Sequence, residues 1–334
     1  MDGGEEYVIS FHFKVVFAVL IIVNIAGNAL VCLVVLRNVQ MRTQINLLLV
    51  NLAISDTTFA IFFTPRKLFY ELISRGNQEG IARDYMCKFL TYGNLSWMAF
   101  ASSAFTLVVI GTERYYAVLY PFSARGRFTK ERIVCAVTLC WVLGAVLILP
   151  ETIALKFNTK YLTCVYVWTS KDMNRASTII WPLAAGVIPF TILAFLYGKV
   201  IRTLWFSRQN QCWDFTGRTL FLRRKKITTK VITVTIVFGL FVLPTFLYVF
   251  VDNIMKEGSS VVVLKPKEQA LYQLKHVMYL LNATINPFLY TLQDKQFRKF
   301  MAKQLCCRKT VEYRGILLPQ RNTSPSRRIF PAPR

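Results

Sequence analysis

Residues 89–115 read FLTYGNLSWMAFASSAFTLVVIGTERY. Nothing from 89 to 112 is charged, and the run ends on Glu113-Arg114. As a helix, about 20 mostly apolar residues cross the hydrocarbon core of a bilayer. Six further runs have this character: 15–36, 45–65 (interrupted only by Asp56), 133–150, 176–198, 231–251 and 276–293. Buried helices of a soluble protein are usually shorter and rarely so numerous. The alternating segments of about ten residues that build a membrane barrel do not occur. Composition agrees: 54% of residues are hydrophobic and 17% charged, against about 25% charged in a soluble domain. The chain reads as an all-α membrane protein, a seven-transmembrane helix bundle.

The formal charge of +24 would suggest nucleic acid in a soluble chain. In a membrane chain, Lys and Arg instead collect in the cytoplasmic loops. With the N-terminus outside, the inner segments sum to about +22 and the outer ones to about +3. That orientation makes membrane lipids the expected partner of the charge, and no nucleic acid is expected. The organisation is then an extracellular N-tail at 1–10, a seven-helix membrane domain at 11–293, an amphipathic stretch at 294–307 and a basic cytoplasmic tail at 308–334. No cleavable signal peptide is expected; the first span would serve for insertion.

Of eight cysteines, Cys87 and Cys164 are those facing the oxidising exterior. A disulfide between them would tie the second outer loop to the top of span three. Cys306 and Cys307 follow a stretch with Phe297, Phe300, Met301 and Leu305 on one face and Arg298, Lys299 and Lys303 on others. That is the pattern of an interfacial eighth helix ending in S-acylated cysteines, with two free thiols as the alternative.

An ionisable residue deep in a span is costly and usually functional. Asp56 is such a residue, and Ser103, Asn282 and Asn286 are candidates to satisfy it. A carboxylate with hydroxyl and amide oxygens suits a small hard cation such as Na⁺; a structural polar network with Asn28 is the alternative. Glu113-Arg114-Tyr115, at the inner end of span three, reads either as interfacial anchoring or as a restrained arginine. Asn286-Pro287-Phe288-Leu289-Tyr290 places a proline inside span seven, where the lost backbone hydrogen bond lets the helix bend. Pro189 and Pro244 add deformable points in spans five and six.

Taken in order, these residues resemble the rhodopsin-like (class A) G-protein-coupled receptors over roughly residues 11–307. Gly27-Asn28, Asn51 through Asp56, Glu113-Arg114-Tyr115, Trp141, Pro189 with Tyr197, Asn286-Pro287 through Tyr290, and Asp294 with Phe297-Arg298 each stand where that family carries a motif. The resemblance implies a plasma-membrane receptor whose outer ligand repacks the bundle. Span six then swings out at its inner end to admit a heterotrimeric G protein, with Arg114, Tyr197 and Tyr290 bracing the opening and Phe238, Pro244 and Pro287 in the moving parts. Three departures stand out. Val242 replaces the usual span-six tryptophan. The inner end of span six, Arg223-Arg224-Lys225-Lys226, offers Arg114 no acid, so Glu113 must restrain it alone. Cys87 precedes Arg114 by 27 residues, more than the family's usual spacing, which implies a bulge or shifted register at the top of span three.

The ligand is read largely from absences. Span three has no acid for an amine, and span seven no lysine at Schiff-base depth; Leu280 stands there instead. The N-tail of about ten residues is shorter than a folded ligand-binding domain, so none is expected. Pro65, the loop 159–167 with its strand-forming Tyr161, Val165, Tyr166 and Val167, and a short third inner loop resemble peptide receptors. A neuropeptide-like extracellular ligand is therefore expected. Its candidate contacts are Asn94, Trp97, Trp168, Trp181, Thr245, Tyr248, Asp252 and Lys275, with Arg66 and Lys67; for Arg66, Lys67 and Lys275 interfacial anchoring is the favoured alternative. A lipid or small-molecule ligand is the alternative. A seven-helix transporter is disfavoured by the lack of repeats and of several intramembrane charges. A non-signalling scaffold is kept open by the missing tryptophan. No enzymatic constellation and no cofactor is expected beyond Na⁺ as an allosteric ion.

Overall fold

The computed structural model describes residues 9–69, 81–121, 123, 128–159, 163–206, 215–255 and 266–305. Eight helices follow in chain order: α1 (Phe11–Arg37), α2 (Gln44–Leu68), α3 (Ile81–Leu119), α4 (Lys130–Ala154), α5 (Lys171–Phe206), α6 (Phe215–Met255), α7 (Pro266–Gln293) and α8 (Lys295–Leu305). Helix starts carry the hydroxyl caps expected where four backbone N–H groups lack partners. Thr43, Thr129 and Ser170 accept from the backbone N–H of Asn46, Arg132 and Met173.

Among the described residues, α1 to α5 and the segment Arg224–Tyr248 of α6 are apolar and long enough to cross a membrane. α7 is the more polar seventh span: its 28 residues suffice in length, and its polar side chains Gln273, His276, Asn282, Thr284 and Asn286 are buried. It packs on α1, α2 and α6, so those groups meet protein rather than lipid. α3 is central, touching α2, α4, α5 and α6. α6 is 41 residues long, about 60 Å at 1.5 Å per residue, so its basic start extends well below the bilayer.

Two helices depart from regularity. α3 passes through a π turn at Cys87–Thr91 and breaks at Gly93, whose φ of 67° is left-handed. A side chain there would be strained, and its β-carbon would lie 3.0 Å from the Phe62 carbonyl oxygen. This is the register shift expected from the position of Cys87. α5 has a second π turn at Leu183–Val187.

The loop after α4 is an antiparallel hairpin, β1 (Leu155–Asn158) with β2 (Thr163–Tyr166), in which Phe157 pairs with Cys164. The sequence pointed to the second strand; the first, Leu-Lys-Phe-Asn, directly continues α4. Cys87 and Cys164 are disulfide-bonded, and the Tyr92 hydroxyl donates to the Cys164 carbonyl at 3.0 Å. The Asp84 carboxylate also accepts from the Phe157 N–H at 2.7 Å, so the hairpin is held to the top of α3 by a disulfide and two hydrogen bonds.

Candidate functional site

In the outer half of the bundle, aromatic side chains from five helices converge. Trp97 of α3 meets Trp181 of α5 at 5.3 Å and Tyr279 of α7 at 5.2 Å between ring centroids, both edge to face. One turn deeper, Phe100 contacts Trp181, Phe238, Phe246 and Tyr279. Phe59 of α2 closes the cluster against Trp97 and Phe100. Such offset and edge-on pairs add to the burial energy and fix ring orientation. The place of the family's span-six tryptophan is taken by the fully buried Val242. Phe238, stacked on Phe100 at 5.9 Å, joins α6 to the cluster from below.

Two glycines let α5 and α6 interlock here. A β-carbon on Gly186 would fall 1.6 Å from the Phe246 ring, and one on Gly239 would fall 2.4 Å from the Phe190 ring. Each helix therefore presses a phenyl ring into a notch on the other.

The expected ligand contacts divide. Trp97 and Trp181 lie together, and the indole N–H of Trp181 is buried with no partner. Lys275 lies over the rings of Tyr272 and Tyr248, at 4.2 and 5.7 Å. Thr245 is buried, its hydroxyl donating to the backbone of Val242 at 2.7 Å. Asn94 turns toward α4 and donates to Thr152 at 3.2 Å, leaving its own side-chain oxygen buried and unpartnered. Trp168 stands apart, stacked on Tyr166 beside the hairpin. Asp252 belongs to α6, and its side chain lies outside the described residues. Arg66 and Lys67 tie α2 to α7: Arg66 donates to the Tyr272 hydroxyl at 2.9 Å and Lys67 to Gln273 at 3.3 Å. Phe59, Phe100, Phe246 and Tyr279 join the site without having stood out in the sequence. Their only signal was an aromatic residue in the outer half of a span.

At mid-depth, Asp56 is buried, with Ser103 donating to one carboxylate oxygen at 3.2 Å and Asn286 to the other at 2.7 Å. Two of the three expected partners are present; no hydrogen bond joins Asn282 to Asp56, although Asn282 is also buried. Asn28 does not enter this cluster but donates to the carbonyls of Asn24 and Ala283, linking α1 to α7. Asn51 accepts from Trp141 and donates to Thr106, joining α2, α3 and α4. Gly27 admits the Pro287 ring against α1, at 3.1 Å from where its β-carbon would be.

At the inner end, Arg114 donates through two guanidinium nitrogens to its neighbour Glu113, and both are buried. Tyr115 is half-buried and packs on the small cluster of Val118, Val200 and Leu204. The Tyr197 hydroxyl accepts from Thr235 of α6 at 3.4 Å, and the Tyr290 hydroxyl is buried without a partner. A second ion pair lies nearby: Lys230 of α6 donates to Asp294, between α7 and α8. Asp294 also accepts from the backbone N–H of Gln296 at 2.9 Å, capping α8. Burial pushes the Asp294 carboxyl up, but the Lys230 ammonium and the α8 N–H groups outweigh it and hold it below the usual carboxylate range. The stabilisation is therefore present above the unfolded carboxyl's titration and lost only as pH falls through the depressed one. α8 is amphipathic as expected, with Phe297 buried against Tyr290. Cys306 and Cys307, which follow it, lie outside the described residues.

Seven membrane-crossing helices, a disulfide-tied outer hairpin, a buried aspartate at mid-depth and a sequestered arginine at the cytoplasmic end define a polytopic receptor bundle. The chain belongs to the seven-transmembrane receptor (rhodopsin) family, whose model matches residues 27–290. It is a multi-pass protein of the plasma membrane. It is similar to the allatostatin-A receptor of Bombyx mori, 27% identical over 92% of this chain and 83% of that protein. It is 28% identical to galanin receptor 2a of Danio rerio, over 92% and 84% of the two chains. It is 26% identical to a QRFP-like peptide receptor of Branchiostoma floridae, over 88% and 77%.

Proposed function

We propose that the protein is a G-protein-coupled receptor for an extracellular neuropeptide-like ligand. The supporting observation is the near full-length similarity to receptors whose names state peptide ligands. The peptide enters beside the tied hairpin and meets Trp97, Trp181, Tyr248 and Lys275, with Asp252 and Trp168 at the rim. The unpartnered Trp181 N–H and Asn94 oxygen are groups of the kind that a bound polar ligand or ordered water satisfies.

Phe100 and Phe238 carry the change of packing toward α6, doing through two phenyl rings what the family does with a tryptophan. Asp56, Ser103 and Asn286 hold Na⁺ in the resting bundle, with Asn282 nearby. Outward movement of α6 about Pro244, with bending of α7 at Pro287, frees Arg114 from Glu113 and lets Tyr197 and Tyr290 exchange partners. The ligand sets the equilibrium through its differential affinity for the two packings. Cys306 and Cys307 are S-acylated and hold α8 to the membrane. A peptide panel read by G-protein biosensors tests this. Activation by a peptide, lost in Trp97→Ala and Trp181→Ala at preserved surface expression, is expected; activation by lipids alone would sink the peptide reading.

A further inference from the structure

Lys67, at the outer end of α2, is not the interfacial anchor that its sequence position suggests. An anchoring lysine extends its head to water; Lys67 is 0% exposed. Its ammonium lies 5.3 Å from the centroid of the Phe17 ring and 5.4 Å from that of Phe63, and it donates to the Gln273 side-chain oxygen at 3.3 Å. A lysine buried this completely is costly and rare.

Two more cations gather with it on a single ring. The Lys275 ammonium lies 4.2 Å from the centroid of Tyr272, and the Lys67 ammonium lies 5.5 Å from the same point. Arg66 donates to the Tyr272 hydroxyl at 2.9 Å and to the Tyr92 carbonyl at 3.2 Å. The two ammonium groups are therefore within about 10 Å of each other, a separation that salt screens only in part and aromatic walls hardly at all. Ring faces and neutral acceptors offset some of that repulsion. An anion placed between Arg66 and Lys275 offsets more, and it gains charge-assisted hydrogen bonds.

The cluster has an open side and a closed one. Arg66, Tyr272 and Lys275 are partly exposed, whereas Lys67, Gln273 and His276 are buried. Tyr92, whose ring lies 4.6 Å from the Arg66 guanidinium, is bonded to the tied hairpin. On the closed side, His276 connects the cluster to the central aromatic rings. Its Nδ1 is 2.7 Å from the Tyr272 carbonyl oxygen, which only accepts, so Nδ1 carries the proton. Its ring contacts Tyr272 at 4.6 Å and Trp97 at 6.2 Å. We propose, resting on the peptide-receptor reading and narrowing it, that Arg66 and Lys275, with Lys67 behind them, seat a carboxylate of the peptide ligand while a neighbouring aromatic side chain of the ligand reaches Trp97. The carboxylate is either the C-terminus of the peptide or an Asp or Glu side chain.

The test measures binding of three blocked dipeptides to the full chain in phosphatidylcholine nanodiscs by ligand-observed NMR: acetyl-Phe-Phe free acid, acetyl-Phe-Phe amide and acetyl-Phe-Asp amide. At least one of the two acids should bind about tenfold or more tighter than the neutral amide, and the acid that does so names the source of the carboxylate. Arg66→Gln and Lys275→Gln should each remove most of that advantage and leave the neutral amide unchanged, with thermal unfolding confirming that both fold. Should Arg66→Gln fail to fold, Lys275→Gln and Lys275→Glu decide. Lys275→Glu should reverse the preference, so that the cationic aminoethyl amide of acetyl-Phe-Phe binds better than the acid, a reversal that a merely structural lysine would not produce. Acids and amide binding equally, or an advantage untouched by Lys275→Gln, overturns the seat. Equal binding that is lost in Trp97→Ala overturns the seat and leaves the peptide pocket standing, whereas no binding by any probe removes the pocket along with it.

Discussion

In the outer half of the bundle, Phe246 occupies the space of a missing β-carbon on Gly186; in the inner half, Arg114 rests on its own neighbour, Glu113. The first contact is shape against shape between two helices. Any displacement of α5 from α6 opens a void there. The second is charge against charge within one helix, and it leaves α3 and α6 unjoined by that pair. Among the described residues, a charge contact that does join α6 to the end of α7 is Lys230 with Asp294, at the partly exposed inner rim. The difference assigns the two ends different physics. The outer end is coupled by rings pressed into notches, whereas the inner end adds ion pairs to its apolar packing.

That contrast can be broken at graded cost. The largest effect is expected for Cys87→Ser, which releases a hairpin anchored across 77 residues of sequence and should remove about 2–4 kcal/mol, read as lost surface expression and a lower unfolding midpoint. Next, Gly186→Val drives a branched side chain into the Phe246 ring, an overpacking that costs about 1–3 kcal/mol. Gly198→Val on the same helix, with nothing within 4 Å of the new β-carbon, should leave the midpoint unchanged. If both glycine variants melt alike, the interlock is not what holds α5 to α6.

Asp56→Asn should retain the fold while abolishing the effect of Na⁺ on agonist affinity, a coupling of about 1 kcal/mol or more; titrating NaCl against a non-sodium salt at fixed ionic strength checks it. The smallest shift belongs to the rim pair. Asp294→Asn should raise basal nucleotide exchange about two- to fivefold, consistent with a partly exposed ion pair worth about 1 kcal/mol or less. The swap Lys230→Asp with Asp294→Lys should return it toward the parent. A swap that stays as active as the single variant would assign Asp294 to capping α8 alone.

The spans were legible because a bilayer demands a long apolar run, whatever it packs against. The disulfide was legible because topology put two cysteines on the oxidising side. Asp56 was legible as a cost, and two of its three expected partners met it. Asn282 did not: it lies one helical turn from Asn286, and only the tilt of α7 decides which of the two faces the carboxylate. Of the aromatic cluster, Trp97, Trp181 and Phe238 were singled out from the sequence, but Phe59, Phe100, Phe246, Tyr279 and the two glycine notches were not legible. A glycine in a span states that something may approach, and the identity of the ring that does is fixed by α5 and α6 together. Pairing of Lys230 with Asp294 was hidden for the same reason, 64 residues apart in sequence.

The break at Gly93 has a consequence for how such a receptor can change over generations. Because the turn Cys87–Thr91 and the left-handed glycine uncouple the rotation of the two parts of α3, a residue gained or lost above the break re-aims the outer loop without rotating Trp97, Phe100 or Arg114. The hairpin anchor and the signalling shaft can then be selected separately, so the mouth can be retuned to a new ligand while the transmission beneath it stays in phase.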